Sequence, residues 1–258
     1  MRLLKEIYDY RDMIISLVRR DLKGRYKGSV LGFLWTFINP LLQLLVYTFV
    51  FSVVMRSGIK DYYLFLFVAL VPWIFFGTCI TGGATCIWAQ QDMVKKIYFP
   101  REVLPISFVT SQFVNMLLSF IIIFVVLVVS GKGIDILLLP YLIPVMILEY
   151  MLALGVAFVF SSITVYLRDM EYILGILSMA LQFLTPVMYS VEMVPERIRP
   201  IFNLNPMAPI INAYRDVLYY QKNPEMQTMF QGAVLSVILL MVGFLVFGRL
   251  KRRFAENL

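Results

Sequence analysis

The stretch LGFLWTFINPLLQLLVYTFVFSVVM, residues 31–55, carries the clearest structural signal in this chain. It contains no Asp, Glu, Lys or Arg. At about 1.5 Å per helical residue it is longer than a hydrocarbon core of about 30 Å. The stretch therefore predicts a helix that crosses a membrane.

One face of this predicted helix is polar. Thr36, Asn39, Gln43 and Tyr47 recur every three or four residues, so they share one side of a helix. An amide that faced acyl chains would have no hydrogen-bond partner, which is costly in a bilayer. The face must therefore contact protein or water, either as a helix–helix contact or as the wall of a passage.

The composition extends the membrane interpretation to the whole chain. Of 258 residues, 60% are hydrophobic and 15% charged, and mean hydropathy is +0.82. Soluble domains contain about 45–50% apolar residues. We therefore expect an all-α integral membrane protein with six spans, at 31–55, 62–82, 104–129, 136–164, 171–189 and 230–248.

The basic residues give the orientation. Of 23 Lys and Arg residues, 16 fall on the side that carries both termini, which predicts that the termini are cytosolic. The net charge of +7 suits an anionic membrane surface better than nucleic acid, because no soluble domain is long enough to present a nucleic-acid-binding face.

Residues 1–30 are too polar to cross the membrane. Apolar residues repeat there at helical spacing between basic ones, which is typical of an amphipathic helix at the membrane interface. Such a helix could serve as a topology anchor or also as a docking surface for a cytosolic partner.

Several kinds of chemistry are excluded by residue type. The chain has no histidine, which is the usual general base and a common metal ligand. It also has no glycine-rich loop followed by Lys-Ser or Lys-Thr, so it cannot bind a nucleotide through a P-loop. If ATP is used, another polypeptide must hydrolyse it. We expect no metal or cofactor on this chain, and we interpret Cys79 and Cys86 as small core residues.

Polar stripes recur in two further spans. The third span contributes Gln112, Asn115 and Ser119, and the fifth contributes Ser178, Gln182, Thr185 and Tyr189. Each stripe alone is explained by helix packing. The amides and tyrosines of the first and fifth spans together favour a lined conduit. Glu149 is the acid deep within a span, and we expect it to be hydrogen-bonded rather than a proton carrier.

Two connecting regions carry their own signals. Region 86–102 precedes the third span, and its residues Ile97, Tyr98 and Phe99 are expected to be exposed, either as a plug for a partner or as aromatics at the membrane interface. Region 190–229 is broken by prolines and too charged to span, yet too apolar for free solution. It predicts short helices that fold back into the outer mouth of the bundle.

Five sequence blocks, in order along nearly the whole chain, resemble one family. The blocks are RYKGSVLGFLW (25–35, followed by Asn39-Pro40), KKIYFPREVLP (95–105), VYLRDM (165–170), PVMY (186–189) and NLNPMAPIINAYRD (203–216). Together they resemble the membrane subunits of type-two ABC exporters of cell-surface polysaccharides, such as O-antigen, teichoic acid, rhamnan or capsule-like glycans.

The resemblance implies a homodimer in the cytoplasmic membrane of a bacterium, with two separate ABC ATPase subunits that bind ATP and magnesium. It also implies a substrate glycan carried on undecaprenyl diphosphate. Residues 1–30 would be the interface helix, and 31–258 the transmembrane domain.

The resemblance also implies roles for particular residues. Trp35, Asn39, Gln43, Tyr47, Gln182, Thr185 and Tyr189 would border the conduit; Lys95, Lys96, Tyr98, Phe99, Arg101 and Glu102 would couple to the ATPase; Asn205, Pro206, Pro209, Tyr214 and Arg215 would belong to the external gate. The basic Arg25 and Lys27, near the inner mouth, are candidates for binding the lipid diphosphate.

Other functions stay open at this point. A membrane-embedded glycan or lipid transferase would need clustered acidic residues, and a secondary transporter would usually show internal repeats. Neither pattern is evident in the sequence. Another type-two exporter, of a lipo-oligosaccharide or a drug, is the remaining alternative.

Overall fold

The computed structural model describes residues 2–25, 27–199, 202, 204–254 and 258, and all regular elements in these ranges are helical. The α-helices are α1 (Arg2–Asp9), α2 (Arg11–Gly24), α3 (Trp35–Thr48), α4 (Tyr62–Thr85), α5 (Gln91–Lys96), α6 (Val103–Val129), α7 (Leu142–Thr164), α8 (Met170–Leu184), α9 (Met207–Leu218) and α10 (Met226–Leu250). A π-helical turn, Phe49–Val54, continues α3. The expected all-α membrane fold is confirmed.

Five helical segments among the described residues are long and apolar enough to cross a membrane. They are Gly32–Val54, Tyr62–Thr85, Val103–Val129, Leu139–Thr164 and Met226–Arg253. The sixth apolar helix, α8, has 15 residues and ends at Leu184, five residues before the predicted end of the fifth span. The reason is local: Pro186 disfavours helical backbone at Thr185, which is extended at φ −95° and ψ 136°.

Helix α4 lies at the centre of the fold. It packs against α3, α6, α7, α8 and α9. Its side chains are apolar around the whole circumference, and most of them are buried. A helix that is hydrophobic all round belongs in the middle of a bundle, where every face meets another helix.

Helices α7 and α10 approach each other so closely that glycine is required. A Cβ on Gly243 would lie 2.3 Å from the carbonyl oxygen of Gly155. A Cβ on Gly155 would lie 2.7 Å from the backbone of Leu239. Small residues let helix backbones touch in membranes, where dispersion and not water exclusion holds helices together.

The N-terminal segment consists of two helices and not one. Tyr10 interrupts the helical conformation at φ −94° and ψ 14° and separates α1 from α2. Helix α2 packs along α6. Its Leu17 is buried in a cluster with Val94, Phe99 and Phe254, which joins the N-terminal helices to the loop before α6 and to the C-terminal segment.

Helix α9 lies in region 190–229, for which the sequence predicts short helices that fold back into the bundle. It is buried along its length and packs against α4, α7 and α10. The segment that follows it contacts the loops 56–61 and 130–138, because Tyr219 Oη donates to the Lys60 carbonyl and Gln221 Nε2 donates to the carbonyls of Lys132 and Gly133. Helix α9 therefore lies at the end of the bundle opposite α2 and the C-terminal segment.

Candidate functional site

The polar faces of α3 and α8 meet. Gln182 Nε2 donates to Tyr47 Oη at 3.3 Å, and one turn earlier on α3 Gln43 Nε2 donates to Asn39 Oδ1 at 3.1 Å. These contacts join the two stripes that the sequence singled out. They form a ladder of amide and hydroxyl groups along one side of the subunit.

This side of the subunit is only thinly covered by the rest of the chain. Asn39 is exposed, and Gln43, Tyr47 and Gln182 are half-buried. Trp35, at the start of α3, is 41% exposed and its indole N–H donates to Ser29 Oγ at 3.1 Å. Large apolar side chains flank the ladder and are exposed in the single subunit: Leu45, Val46, Phe49, Ile176, Met179 and Phe183. The face is thus free to meet another surface.

Two predicted conduit residues are placed differently. Thr185 is fully buried in the single subunit and accepts a hydrogen bond from Asn205 Nδ2 at 2.8 Å; its role at the conduit stays a prediction. Tyr189 is half-buried and donates to the Phe183 carbonyl at 2.6 Å. The backbone turns inward after Leu184, because the helix cannot continue through Pro186, and this turn takes Thr185 away from the open face.

Asn205 and Pro206 begin α9. The Asn205 carboxamide oxygen accepts the backbone N–H of Met207 at 3.0 Å, while Nδ2 reaches back to Thr185 and to the Leu184 carbonyl. Pro206 precedes the first helical residue. Pro209 is buried in the first turn, where its missing N–H costs no helical bond, and faces Gly232 of α10. These predicted gate residues thus fix where α9 starts.

Arg215 organises the irregular backbone after α8. It is 2% exposed, and its guanidinium donates to the carbonyls of Val187 at 2.6 Å and Tyr189 at 3.3 Å. Tyr62 Oη donates to the carbonyl between them, that of Met188, at 2.8 Å. The Arg215 guanidinium also lies 3.6 Å from the centre of the Phe65 ring. Non-helical backbone at membrane depth requires such partners, because no water is there to supply them.

Tyr214, the neighbour of Arg215, anchors α9 to α7. Its hydroxyl donates to Glu149 Oε2 at 2.6 Å, and both residues are fully buried. The expectation that Glu149 is a hydrogen-bonded buried group is confirmed. The sequence did not indicate Tyr214 as its partner, because the two residues are 65 positions apart.

The predicted coupling region is split between surface and core. Lys95 and Lys96 are exposed, and Tyr98 is 91% exposed. Phe99 is only 3% exposed and packs in the cluster with Leu17, so the expectation that Phe99 is exposed is wrong. The physical reason is that packing in this cluster removes the apolar Phe99 ring from water.

Arg101 and Glu102 are also tied to the rest of the chain. Arg101 donates to the Ile97 carbonyl at 3.0 Å and lies over the Phe99 ring, and burial lowers its pKa below the ordinary value, while Tyr98 partly opposes this shift. Glu102 is buried and pairs with Lys251 at the C-terminal end of α10. Its role therefore includes holding the loop before α6 to the C-terminal segment.

Of the two basic residues proposed for the diphosphate, one lies at a cavity. Arg25 donates from Nε to Asp21 Oδ2 at 3.1 Å and borders a cavity of about 240 Å³ between α3, α4 and α6. Lys27 is exposed and does not line this cavity. Gln112, Asn115 and Ser119, the stripe of the third span, line it together with Thr36 and Asn39.

No three His, Cys, Asp or Glu side chains gather as a metal site within the described residues. Cys79 and Cys86 are free thiols and buried, as expected. Burial raises the pKa of the Cys86 thiol above its ordinary value.

Comparison with known proteins agrees with this geometry. Residues 13–219 match the ABC-2 type transporter family. The chain is 37% identical to the O-antigen export system permease protein RfbA of Myxococcus xanthus over 100% of both chains, and 33% identical to RfbA of Klebsiella pneumoniae over 96% of this chain and 95% of that protein. It is 21% identical to the polysialic acid transport protein KpsM of Escherichia coli, over 90% and 91% of the two chains. The chain therefore belongs to the ABC-2 type transporter family of membrane proteins.

Proposed function

We propose that this protein is the permease subunit of an ATP-driven exporter that moves an O-antigen-type polysaccharide, linked to undecaprenyl diphosphate, across the bacterial cytoplasmic membrane. Two copies form the passage, and two ATPase subunits supply the energy. The names of the relatives that match over their full length support this substrate class.

The contact between the polar faces of α3 and α8 is the observation that carries the proposal. A ladder of amide and hydroxyl groups that includes Gln182, Tyr47, Gln43 and Asn39 stands on the thinly covered side of the subunit. Polar groups in that position need water, protein or a polar substrate. A second copy that meets the same side by two-fold symmetry would enclose the ladder as a conduit.

The chemistry of the ladder suits a sugar polymer. Amides both donate and accept hydrogen bonds with sugar hydroxyls, and aromatic rings such as Trp35 and Tyr47 offer faces for the apolar sides of sugar rings. Hydrogen bonds of this kind are individually weak in net terms, at about 0.5–1.5 kcal/mol each. Repeated weak contacts let a chain move along without being trapped.

Coupling to the ATPases is assigned to the exposed part of the loop before α6. Lys95, Lys96 and Tyr98 are accessible there. Phe99 and Glu102 lie beneath and connect this surface to α2 and to the C-terminal end of α10. A push on the surface would thus be transmitted to the N-terminal helices and α6 together.

The test is reconstitution of this chain with a candidate ABC ATPase partner, in vesicles with a lipid-linked O-antigen donor. We expect the two proteins to co-purify and glycan to become accessible to an external lectin when ATP is supplied. A catalytically inactive ATPase variant is the control. Glycan exposure that is equal with the active and the inactive ATPase would refute the proposal.

A further inference from the structure

A small cavity lies beside the start of α8, at the end of the bundle that carries α2. It has a volume of about 190 Å³, and its lining residues are Thr85, Trp88, Thr164, Arg168, Glu171 and Tyr172. Ile87 and Val165, which adjoin its walls, pack with Leu17 of α2. Neither the ladder residues nor the residues assigned to ATPase coupling line it. Drug-sized sites span about 300–1,000 Å³, so this cavity has room for one small ring and not for a chain.

Two aromatic rings and two opposite charges border this cavity. The Arg168 guanidinium lies 5.1 Å from the centre of the Trp88 ring, and this cation–π contact holds it at the cavity. Within the described part of the chain, the side chains of Arg168 and Glu171 form no ion pair. Exposed charges usually meet water alone, but these two border the same small space as the rings of Trp88 and Tyr172. Both charges are therefore available to a ligand.

Two threonines add hydrogen-bond acceptors to the wall. Thr164 Oγ1 donates to the Phe160 carbonyl at 2.7 Å, and Thr85 Oγ1 donates to the Gly82 carbonyl at 3.3 Å. Each hydroxyl has thus used its donor within its own helix, and its oxygen can still accept a hydrogen bond. The wall therefore combines acceptors with the N–H groups of Arg168.

This mixture of groups favours a neutral ligand with several hydroxyls. A phosphate would be repelled by the Glu171 carboxylate, and a cation would be repelled by Arg168. A sugar hydroxyl both donates and accepts, so it can pair with either charge. The apolar face of a sugar ring can pack on an aromatic ring such as Trp88 or Tyr172. The cavity thus meets the requirements of a single sugar ring.

The cavity also lies in line with the polar ladder. On α8, Glu171, Ser178 and Gln182 recur at spacings of seven and four residues, so they lie on one side of the helix. Gln182 donates to Tyr47 within the ladder. The helix from 171 to 182 measures about 16 Å. The cavity therefore precedes the ladder by about three turns of α8, toward the α2 end.

We propose that this cavity is an entry site, which holds one sugar ring of the glycan before the glycan reaches the ladder. Trp88 and Tyr172 pack against the ring, Arg168 donates to its hydroxyls and Glu171 accepts from them. The place of this site in export rests on the proposed function, whereas binding of a hydroxyl-rich ring rests on the cavity alone.

The experiment observes Trp88 by fluorine NMR of the purified chain, with 5-fluorotryptophan at its three tryptophans. The probes are methyl glycosides of rhamnose, mannose and galactose. Loss of a signal in Trp88→Phe assigns that signal, and Trp73, which is 4% exposed, is the internal control. The variants are Glu171→Gln and Arg168→Gln, both at exposed positions where substitution should leave the fold intact. Glu196→Gln is the matched control, because Glu196 has an exposed carboxylate beyond the far end of α8.

We expect at least one glycoside to shift the Trp88 signal saturably, with a dissociation constant on the order of 1 mM, and to leave Trp73 unmoved. Loss of one charge-assisted hydrogen bond should weaken binding about tenfold in Glu171→Gln and in Arg168→Gln. Glu196→Gln should bind like the unchanged protein. A Trp88 signal that no glycoside moves would overturn the proposal, and so would equal affinity in all three variants.

Two further measurements separate this site from the ATPase contact and from the proposed function. Loss of ATPase co-purification in Arg168→Gln, together with an unmoved Trp88 signal, would assign the cavity to the ATPase instead. In the vesicle assay, the KM for the glycan donor should rise about tenfold in Glu171→Gln with an unchanged maximal rate; an unchanged KM would overturn the role as an entry site. Sugar binding without ATP-driven export would refute the proposed function and keep the sugar site, and export without a shift at Trp88 would do the reverse.

Discussion

At the scale of single residues, the described structure depends on a few buried polar side chains that satisfy backbone or side-chain partners far away in sequence. Arg215 and Tyr62 together donate hydrogen bonds to three consecutive carbonyls after α8, and Tyr214 donates one to the Glu149 carboxylate. The contacts of Arg215 and Tyr214 tie α9 to the segment after α8 and to α7, and the contact of Tyr62 ties α4 to the same segment. Their energetic weight is large because no solvent competes for the partners.

Replacement of Arg215 by Met should therefore destabilise the protein. The carbonyls of Val187 and Tyr189 would lose a charged donor. At about 1.5–3 kcal/mol for each such hydrogen bond, we expect a loss of about 3 kcal/mol or more in the free energy of unfolding. Denaturant titration in detergent would measure it. Arg197→Met is the control, because Arg197 is exposed in the same region; an equal change in both variants would contradict the carbonyl-binding role.

At the scale of elements, two contacts determine how the helices assemble. The first is the backbone approach of α7 and α10 at Gly155 and Gly243. The second is the cluster in which Phe99 joins the loop before α6 to α2 and to the C-terminal segment. One holds the spanning helices together, and the other holds the surface assigned to ATPase coupling.

Gly243→Ala should separate α7 from α10. The new methyl group would overlap the Gly155 carbonyl oxygen, and overpacking of this kind costs about 1–3 kcal/mol. We expect a lower midpoint of thermal unfolding. Gly248→Ala on the same helix is the matched control, since a Cβ there has open space around it. If Gly248→Ala lowered the midpoint as much as Gly243→Ala, close helix approach would not be the cause.

Alanine substitutions of Tyr98 and Phe99 should have different effects on ATPase binding and on the stability of the fold. Phe99→Ala removes a buried ring and should cost about 3–5 kcal/mol of stability. Tyr98→Ala removes an exposed ring, so stability should change by less than about 0.5 kcal/mol while affinity for the ATPase falls. Unfolding and pull-down of the ATPase measure the two effects. Undiminished ATPase binding by Tyr98→Ala would exclude Tyr98 from the contact.

At the scale of the whole molecule, one part of the subunit is closely packed and another part leaves polar and apolar side chains exposed. Helix α4 is enclosed by its neighbours, whereas α3 and α8 together leave a polar ladder beside exposed apolar side chains. A closed two-fold assembly would complete this side. The proposed conduit is thus a property of the dimer and not of one chain.

Single cysteines substituted for Gln43 and Tyr47 should show whether these positions face the proposed conduit. We expect both to react with a water-soluble thiol reagent during ATP-driven turnover, because they would face a wet passage. A cysteine at Val125, exposed on the apolar outer part of α6, should react much more slowly in lipid. The native thiols are buried and contribute little background. Complete protection of both positions under turnover would exclude them from the passage.

The helical membrane fold, the approximate spans and the polar stripes can be predicted from the residues alone, because hydrophobic length and helical periodicity are local properties. The tertiary structure shows what each stripe contacts: Tyr47 meets Gln182, whereas Thr36 and Asn39 lie with Gln112 at a cavity beside the ladder. It also placed Phe99 and Thr185 inside and joined Arg215 to the backbone after α8. These contacts join residues distant in the chain, and their geometry depends on how whole helices pack, which no local pattern encodes.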